Sequence, residues 1–192
     1  MGHLSSFCAV ILAGGQAARL DGVDKASVEV DGRTLLAHTL DAVIDAAEVV
    51  VVGEPVFTER PVTFTVESPR YGGPVAALLT GCDALLHDTP TVAVLAVDMP
   101  RLTSRTIRRL HDAMGEAAGR DGAVLVDPTG RRQLALVVDR VRLDAVRPDH
   151  ERQHGMSLRD LLAGLDLVEV SALDDEYRDV DTWHDLRDIQ AT

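Results

Sequence analysis

Cysteine, aromatic side chains and positive charge are all scarce in this chain, and each shortage removes a class of function. There are two cysteines, Cys8 in an apolar run and Cys82 in an expected helix. Neither has a partner at metal-binding or redox spacing, so both read as small buried hydrophobes. Only 3% of the 192 residues are aromatic, which argues against a tyrosine-rich recognition surface. Lys and Arg number 19 against 31 Asp and Glu, a formal net charge of -12. Non-specific binding to nucleic acid or to an anionic membrane needs a broad basic face, and this composition does not supply one. An anionic ligand must therefore be met by a local pocket of positive charge. No apolar stretch approaches the ~18 residues of a membrane span. No charged segment leads into an apolar one at the start, so no signal peptide is expected and the cytoplasm is the expected location. Met1 to Ser6 reads as a flexible leader. His38, His87, His111, His150, His154 and His184 show no spacing that builds a metal site.

What is present is a core-forming pattern. With 46% hydrophobic residues the chain suffices for one compact core, so residues 1–192 read as a single domain. Phe7 to Ala13 is an unbroken apolar run ending at Gly14-Gly15, as expected of a central strand buried on both faces of a parallel sheet. Val28 to Val30 with Asp31-Gly32 predicts a short strand and turn. Thr34 then caps a helix carrying Leu35, Leu36, Leu40 and Val43. Further strands are expected over Glu48 to Gly53, Val62 to Val66 and Thr91 to Val97. Helices are expected after Gly72-Gly73-Pro74 and from Thr103 or Ser104. Ala123 to Val126 and Leu134 to Val138 flank a turn and read as a hairpin. A small helix is expected near Arg140 to Val146, then a polar loop over Arg147 to Gly155, a helix from Ser157, a strand at Val168 to Val170 and a closing helix from Thr182. This alternation predicts an α/β fold of three layers, a mostly parallel doubly wound sheet with helices on both faces. Ligands of such sheets sit beyond the carboxyl ends of the strands.

The chemistry-bearing residues cluster at those ends. Gly14 and Gly15 follow the first strand, where missing side chains let the backbone approach a phosphate, and Arg19 and Lys25 lie on the same loop. This is neither G-x-G-x-x-G nor a Walker A loop, since Ala26 follows Lys25. A tight strand-to-helix turn is the plainer reading of the two glycines. Asp98 ends the Thr91 to Val97 strand, where a carboxylate can coordinate Mg²⁺ or cap the next helix.

The segment from Leu12 to Lys25, Leu-Ala-Gly-Gly-Gln-Ala-Ala-Arg-Leu-Asp-Gly-Val-Asp-Lys, closely resembles the signature loop of the molybdenum cofactor guanylyltransferase family. Gly72-Gly73-Pro74, Asp98-Met99-Pro100, Arg132-Gln133 and Asp179-Val180-Asp181-Thr182 fall in that family's order along the chain. The resemblance implies a nucleotide-diphospho-sugar transferase-like, Rossmann-like fold. It implies catalytic roles for Arg19, Lys25 and Asp98, and a metal, Mg²⁺ or alternatively Mn²⁺, on Asp98. It also implies nucleotide contacts from Leu12, Ala13, Gly14, Gly15, Arg19, Lys25, Gly53, Ser68 and Asp98. Asp181 reads equally as a second metal carboxylate or as a helix cap. The family usually has an aspartate near Ser68, whose two acceptor oxygens suit guanine; here Glu67 is the neighbouring carboxylate. Asp21 and Leu134 also depart from the usual glycine and proline.

The implied reaction is transfer of GMP from GTP to the phosphate of molybdopterin or its molybdenum-loaded form, with release of pyrophosphate. Transient contacts with molybdenum cofactor biosynthesis proteins or molybdoenzyme chaperones would go with it. Asp181 and Ser68 keep open a cytidylyltransferase, or an enzyme of the same fold acting on a sugar or alcohol phosphate. A non-catalytic nucleotide-binding protein that delivers cofactor is the alternative from another class. Arg131, Arg132 and Arg152 are candidates, by charge alone, for meeting an acceptor phosphate.

Overall fold

The computed structural model describes residues 6–14, 23–68, 70 and 72–191. Gly15, Arg19 and Asp21 of the glycine loop, and the leader up to Ser5, lie outside the described residues.

The main sheet has seven strands: β1 (Phe7–Leu12), β4 (Glu48–Val52), β5 (Thr63–Thr65), β6 (Thr91–Ala96), β7 (Gly122–Val126), β8 (Arg132–Asp139) and β9 (Leu167–Ser171). They stand in the order β5-β4-β1-β6-β8-β7-β9. β1 pairs in parallel with β4 and β6, while β8 runs antiparallel between β6 and β7. β9 then joins β7 in parallel. The apolar run of β1 is explained by this central place, since all six of its residues are buried. Alternation along the strand sends Phe7, Ala9 and Ile11 into one core and Cys8, Val10 and Leu12 into the other.

Helices cover both faces. The first layer holds α1 (Leu35–Ala42), α3 (Ser104–Glu116) and α7 (Trp183–Gln190), which bury Leu36, Leu40, Ile107, Leu110 and Ile189 with Ile11 and Leu95. The second holds α2 (Pro74–Asp83), α4 (Arg140–Ala145) and α6 (Leu158–Leu162), packed on Val10, Val94 and Leu136. The three-layer, mostly parallel α/β architecture expected from the alternation is the one observed. Cys8 and Cys82 are buried and unbridged, and burial pushes the Cys82 thiol up to about 12. No described helix is long and apolar enough to cross a membrane.

Helix starts follow the caps written in the sequence. Thr34 Oγ1 accepts from the N–H of Ala37, and Thr103 and Thr106 form a reciprocal capping box at α3. The expected hairpin is β7-β8, with β8 beginning two residues earlier than its apolar pattern. Asp127 closes the turn by accepting from the N–H groups of Thr129 and Arg131, and Gly130 takes a positive φ of 83°. The Val28 strand is a two-residue arm, β2 (Glu29–Val30), paired with β3 (Arg33–Thr34). Asp31 and Gly32, both at positive φ, make the turn between them.

One expectation is corrected. The polar stretch Arg147 to Gly155 contains a single helical turn, α5 (His150–Gln153). Asp149 caps it by accepting from the N–H of Arg152, and the buried Gln153 amide donates to the carbonyl of Pro148. One turn has no room for an apolar stripe, so hydrophobic periodicity gives no sign of it.

Candidate active site at the carboxyl edge of the sheet

β1 and β6 are neighbours in register, Leu12 opposite Ala96, so the chain leaves both strands side by side at one edge. The Val97 N–H donates to the Leu12 carbonyl at 3.1 Å, extending the ladder to the foot of Asp98. From below, buried Thr39 donates to the carbonyls of Leu35 and Val97. From the side, the N–H of Val180 donates to the Asp98 carbonyl at 2.8 Å. Asp98 is thus fixed by its backbone while its carboxylate stays partly open to solvent.

Lys25 reaches the same point from the end of the glycine loop. It opens a 3-10 turn over Lys25–Ser27 that Asp24 caps by accepting from the Ala26 N–H at 3.1 Å. Ala26 anchors the turn in the core. The ammonium donates to Asp98 Oδ2 at 2.9 Å and to Asp181 Oδ1 at 2.6 Å. Burial works against the charge on Lys25, but the two carboxylates outweigh it and the pKa rises above that of an ordinary lysine.

Asp181 belongs to the segment between β9 and α7. The cap of α7 is Thr182, whose Oγ1 accepts from the N–H of Asp185, so the two readings of Asp181 separate: its carboxylate goes to Lys25. Asp185 Oδ2 in return accepts from the N–H groups of Asp181 and Thr182 at 3.1 and 2.7 Å. Burial pushes the Asp185 pKa up, yet these hydrogen bonds bring it below the usual value. Asp179 completes the acidic group. Loss of hydration, and then the charges of Asp181 and Asp98, hold its carboxyl above the usual range. Among the described residues no three His, Cys, Asp or Glu side chains converge to hold a metal ion by themselves.

The other expected residues divide. The N–H groups of Ala13 and Gly14 both donate to the Val52 carbonyl, at 3.0 and 2.9 Å, so neither is presented to a phosphate. Their close approach to β4 explains Gly53, where a Cβ would sit 3.1 Å from that of Ala13. Gly14 differs, because among the described residues a Cβ there would meet the Val52 carbonyl alone, at an ordinary 3.6 Å. Ser68 is exposed, and its backbone is held by Thr80 Oγ1 at 3.1 Å. Arg132 is paired with Glu169 of β9 at 3.0 Å, and Arg152 with Asp149 at 3.6 Å. The α5 segment docks through the Gly155 N–H on the Gly72 carbonyl, against the N-terminus of α2.

The residues that sequence reasoning missed are those holding the Asp181 segment in place. Asp185 carries a visible signal, since Thr182 and Asp185 have capping-box spacing. Glu176 carries none. It is buried, accepts from Thr106 Oγ1 at 2.6 Å, from Arg109 Nη1 at 2.8 and 2.7 Å and from the Leu173 N–H, and so straps the segment to α3.

Asp98 and Lys25 meet at the carboxyl edge of a mostly parallel sheet, which is where open sheets of this kind bind their ligands. Residues 9–170 match the family described as MobA-like NTP transferase domain. The chain belongs to this family. Among curated members, it is 31% identical to the molybdenum cofactor guanylyltransferase of Rhodopseudomonas palustris over 155 residues, 70% of this chain and 72% of that one. It is also 31% identical to the same-named protein of Cupriavidus taiwanensis over 138 residues, 65% of this chain and 64% of that one. Among solved structures, Rv0371c of Mycobacterium tuberculosis superposes on the MobA-like domain with a TM-score of 0.75 at 18% identity, covering 100% of both chains. The Archaeoglobus fulgidus molybdopterin-guanine dinucleotide biosynthesis protein A superposes at 0.72 and 19% identity, covering 96% of this chain and 97% of that one. A 4-diphosphocytidyl-2C-methyl-D-erythritol synthase from Anaerococcus prevotii reaches 0.75 at 14% identity, with 98% of each chain covered. At these identities the structures establish the shared fold.

Proposed function

We propose that this MobA-like domain transfers GMP from GTP to the terminal phosphate of molybdopterin or its molybdenum-loaded form, releasing pyrophosphate. The observation that carries the reading is the convergence of Lys25, Asp98 and Asp181 where β1 and β6 end. The names of the curated relatives supply the substrates. An attacking oxygen of the acceptor phosphate bonds to the α-phosphorus as the bond to the bridging oxygen breaks, and its electron pair leaves on pyrophosphate. The acceptor, with a second pKa of about 6, is already largely dianionic at neutral pH, so no general base is required. The chain's task is to hold two anions in line and to neutralise the leaving group.

Lys25, raised in pKa and therefore charged at neutral pH, is the phosphate-binding cation, with Arg19 and Gly15 of the same loop as further contacts. Leu12, Ala13 and Gly14 line the nucleotide at the strand end. Among the described residues a Cβ at position 14 would meet the Val52 carbonyl at an ordinary 3.6 Å, and a bare backbone there suits close approach of a ligand. Asp98 and Asp181 are the metal carboxylates. They fit a divalent cation because both already approach one positive centre within 3 Å, and two carboxylates with phosphate oxygens are a Mg²⁺ type of donor set. Bound there, Mg²⁺ or Mn²⁺ would neutralise the triphosphate oxygens; Rv0371c has been solved with manganese. Gly53 and Ser68 border the base.

The exposed serine at 68 favours a second reading, in which the same chemistry uses CTP. Pyrophosphate release measured with each of the four ribonucleoside triphosphates and molybdopterin decides the matter. Turnover with GTP alone is expected, turnover with CTP but not GTP would replace the base, and no turnover with any would remove the reading.

A further inference from the structure

The position of Lys25 suggests more than phosphate binding. Its ammonium lies between the two carboxylates proposed as metal ligands, at 2.9 and 2.6 Å, with only 19% of its side chain exposed. Val97, next to Asp98, is held at both its N–H and its carbonyl, the Asp98 carbonyl accepts from the Val180 N–H, and the Asp181 N–H donates to Asp185. Both carboxylates thus spring from anchored main chain and both already hold the one ammonium between them. Two cations sharing these oxygens repel one another, so the ammonium and a divalent metal compete for them.

We infer that Lys25 acts as a resident cation that keeps Asp98 and Asp181 from binding a divalent metal until a nucleoside triphosphate draws the ammonium onto its phosphates. This inference rests on the proposed nucleotidyl transfer and adds to it an order of events. Bare metal binds poorly, metal with nucleotide binds well, and by linkage each raises the affinity of the other by the same factor. Lys25 itself need move only from carboxylate oxygen to phosphate oxygen, exchanging one charge-assisted hydrogen bond for another.

The test is direct binding of Mn²⁺, monitored by electron paramagnetic resonance and by the shift in thermal midpoint, with no nucleotide present. Wild type is expected to bind Mn²⁺ alone weakly and to show little shift. Lys25→Met is expected to bind it at least tenfold more tightly and to be stabilised by it, and adding Asp98→Asn to that variant should cancel the gain. Lys25→Gln, which keeps a hydrogen-bond donor without the charge, should also gain affinity and serves if the methionine variant folds poorly. In wild type, guanosine 5'-(α,β-methylene)triphosphate should raise Mn²⁺ affinity by the same order. Equal Mn²⁺ affinity in wild type and both Lys25 variants would overturn the inference. It would stand, and the guanylyl-transfer reading fall, if the variants gained affinity while the wild type released no pyrophosphate from any triphosphate.

Discussion

At the scale of single residues, the site divides into groups that bear charge and groups that hold them. Lys25, Asp98 and Asp181 bear it, and their contacts are charge-assisted and short because hydration there is incomplete. Asp98 follows β6, which is paired along both sides, so removal of its carboxylate should alter chemistry with little effect on fold. Asp98→Ala is expected to lower kcat by a factor on the order of 10² to 10³, the usual cost of a preorganised electrostatic group, with a circular dichroism spectrum like that of wild type. Unchanged metal-dependent turnover by that variant would reject the proposed metal role. The signature residues Gly14, Lys25 and Asp98 were legible in the sequence because each follows a strand or loop that the apolar pattern makes plain. Asp179 stood in the sequence only as the first residue of the Asp179-Val180-Asp181-Thr182 motif, with no sign of its electrostatic part in the site. Its raised pKa depends on hydration and on the proximity of Asp181 and Asp98, which only folding creates.

At the scale of elements, the strap between β9 and α7 sets where Asp181 stands. Glu176 is its anchor, buried against Thr106 and Arg109 of α3. Burial pushes the Glu176 carboxyl up, but Thr106, Arg109 and the Leu173 N–H outweigh it and the pKa falls below its usual 4.5. A carboxylate with a depressed folded-state pKa contributes stability above its unfolded value, and that contribution is lost as pH falls through the folded one. Stability measured by urea unfolding is therefore expected to decline as pH drops below about 4.5 in wild type. Glu176→Gln should be less stable at pH 7 and show a flatter decline. A Glu176→Gln curve parallel to that of wild type over this range would place the acid sensitivity elsewhere. The sequence announces α7 through Thr182 and its capping-box spacing. It says nothing of Glu176, because the partners lie 67 and 70 residues away on another element.

At the scale of the whole molecule, the sheet is a continuous wall between two apolar layers, and its least forgiving point is where β8 and β9 flank β7. A Cβ placed on Gly122 would fall inside contact distance of the Val137 carbonyl and crowd Leu167 and Val138. Gly122→Ala is expected to cost about 1 to 3 kcal/mol of stability, as overpacking does, read from the denaturant midpoint. An unchanged midpoint would show that this edge of the sheet yields more readily than the packing implies. The exposed β9 face, with Glu169 and Arg132 paired on it, bears the polar pattern suited to a strand covered on one side only.

The sequence by itself determined the alternation of strands and helices, the central place of β1, the helix caps, and the glycine loop with its lysine. These are local patterns, set by hydrophobic period and by caps that act within three or four residues. Only the tertiary structure decided that Lys25 and Asp181, 156 positions apart, would share one ion pair with Asp98. It also decided that the amides of Ala13 and Gly14 would be spent on Val52, and that Glu176 would tie the last strap down. Those outcomes depend on which chain ends the sheet order brings together. Such long-range pairing leaves no periodic trace in the residues that take part.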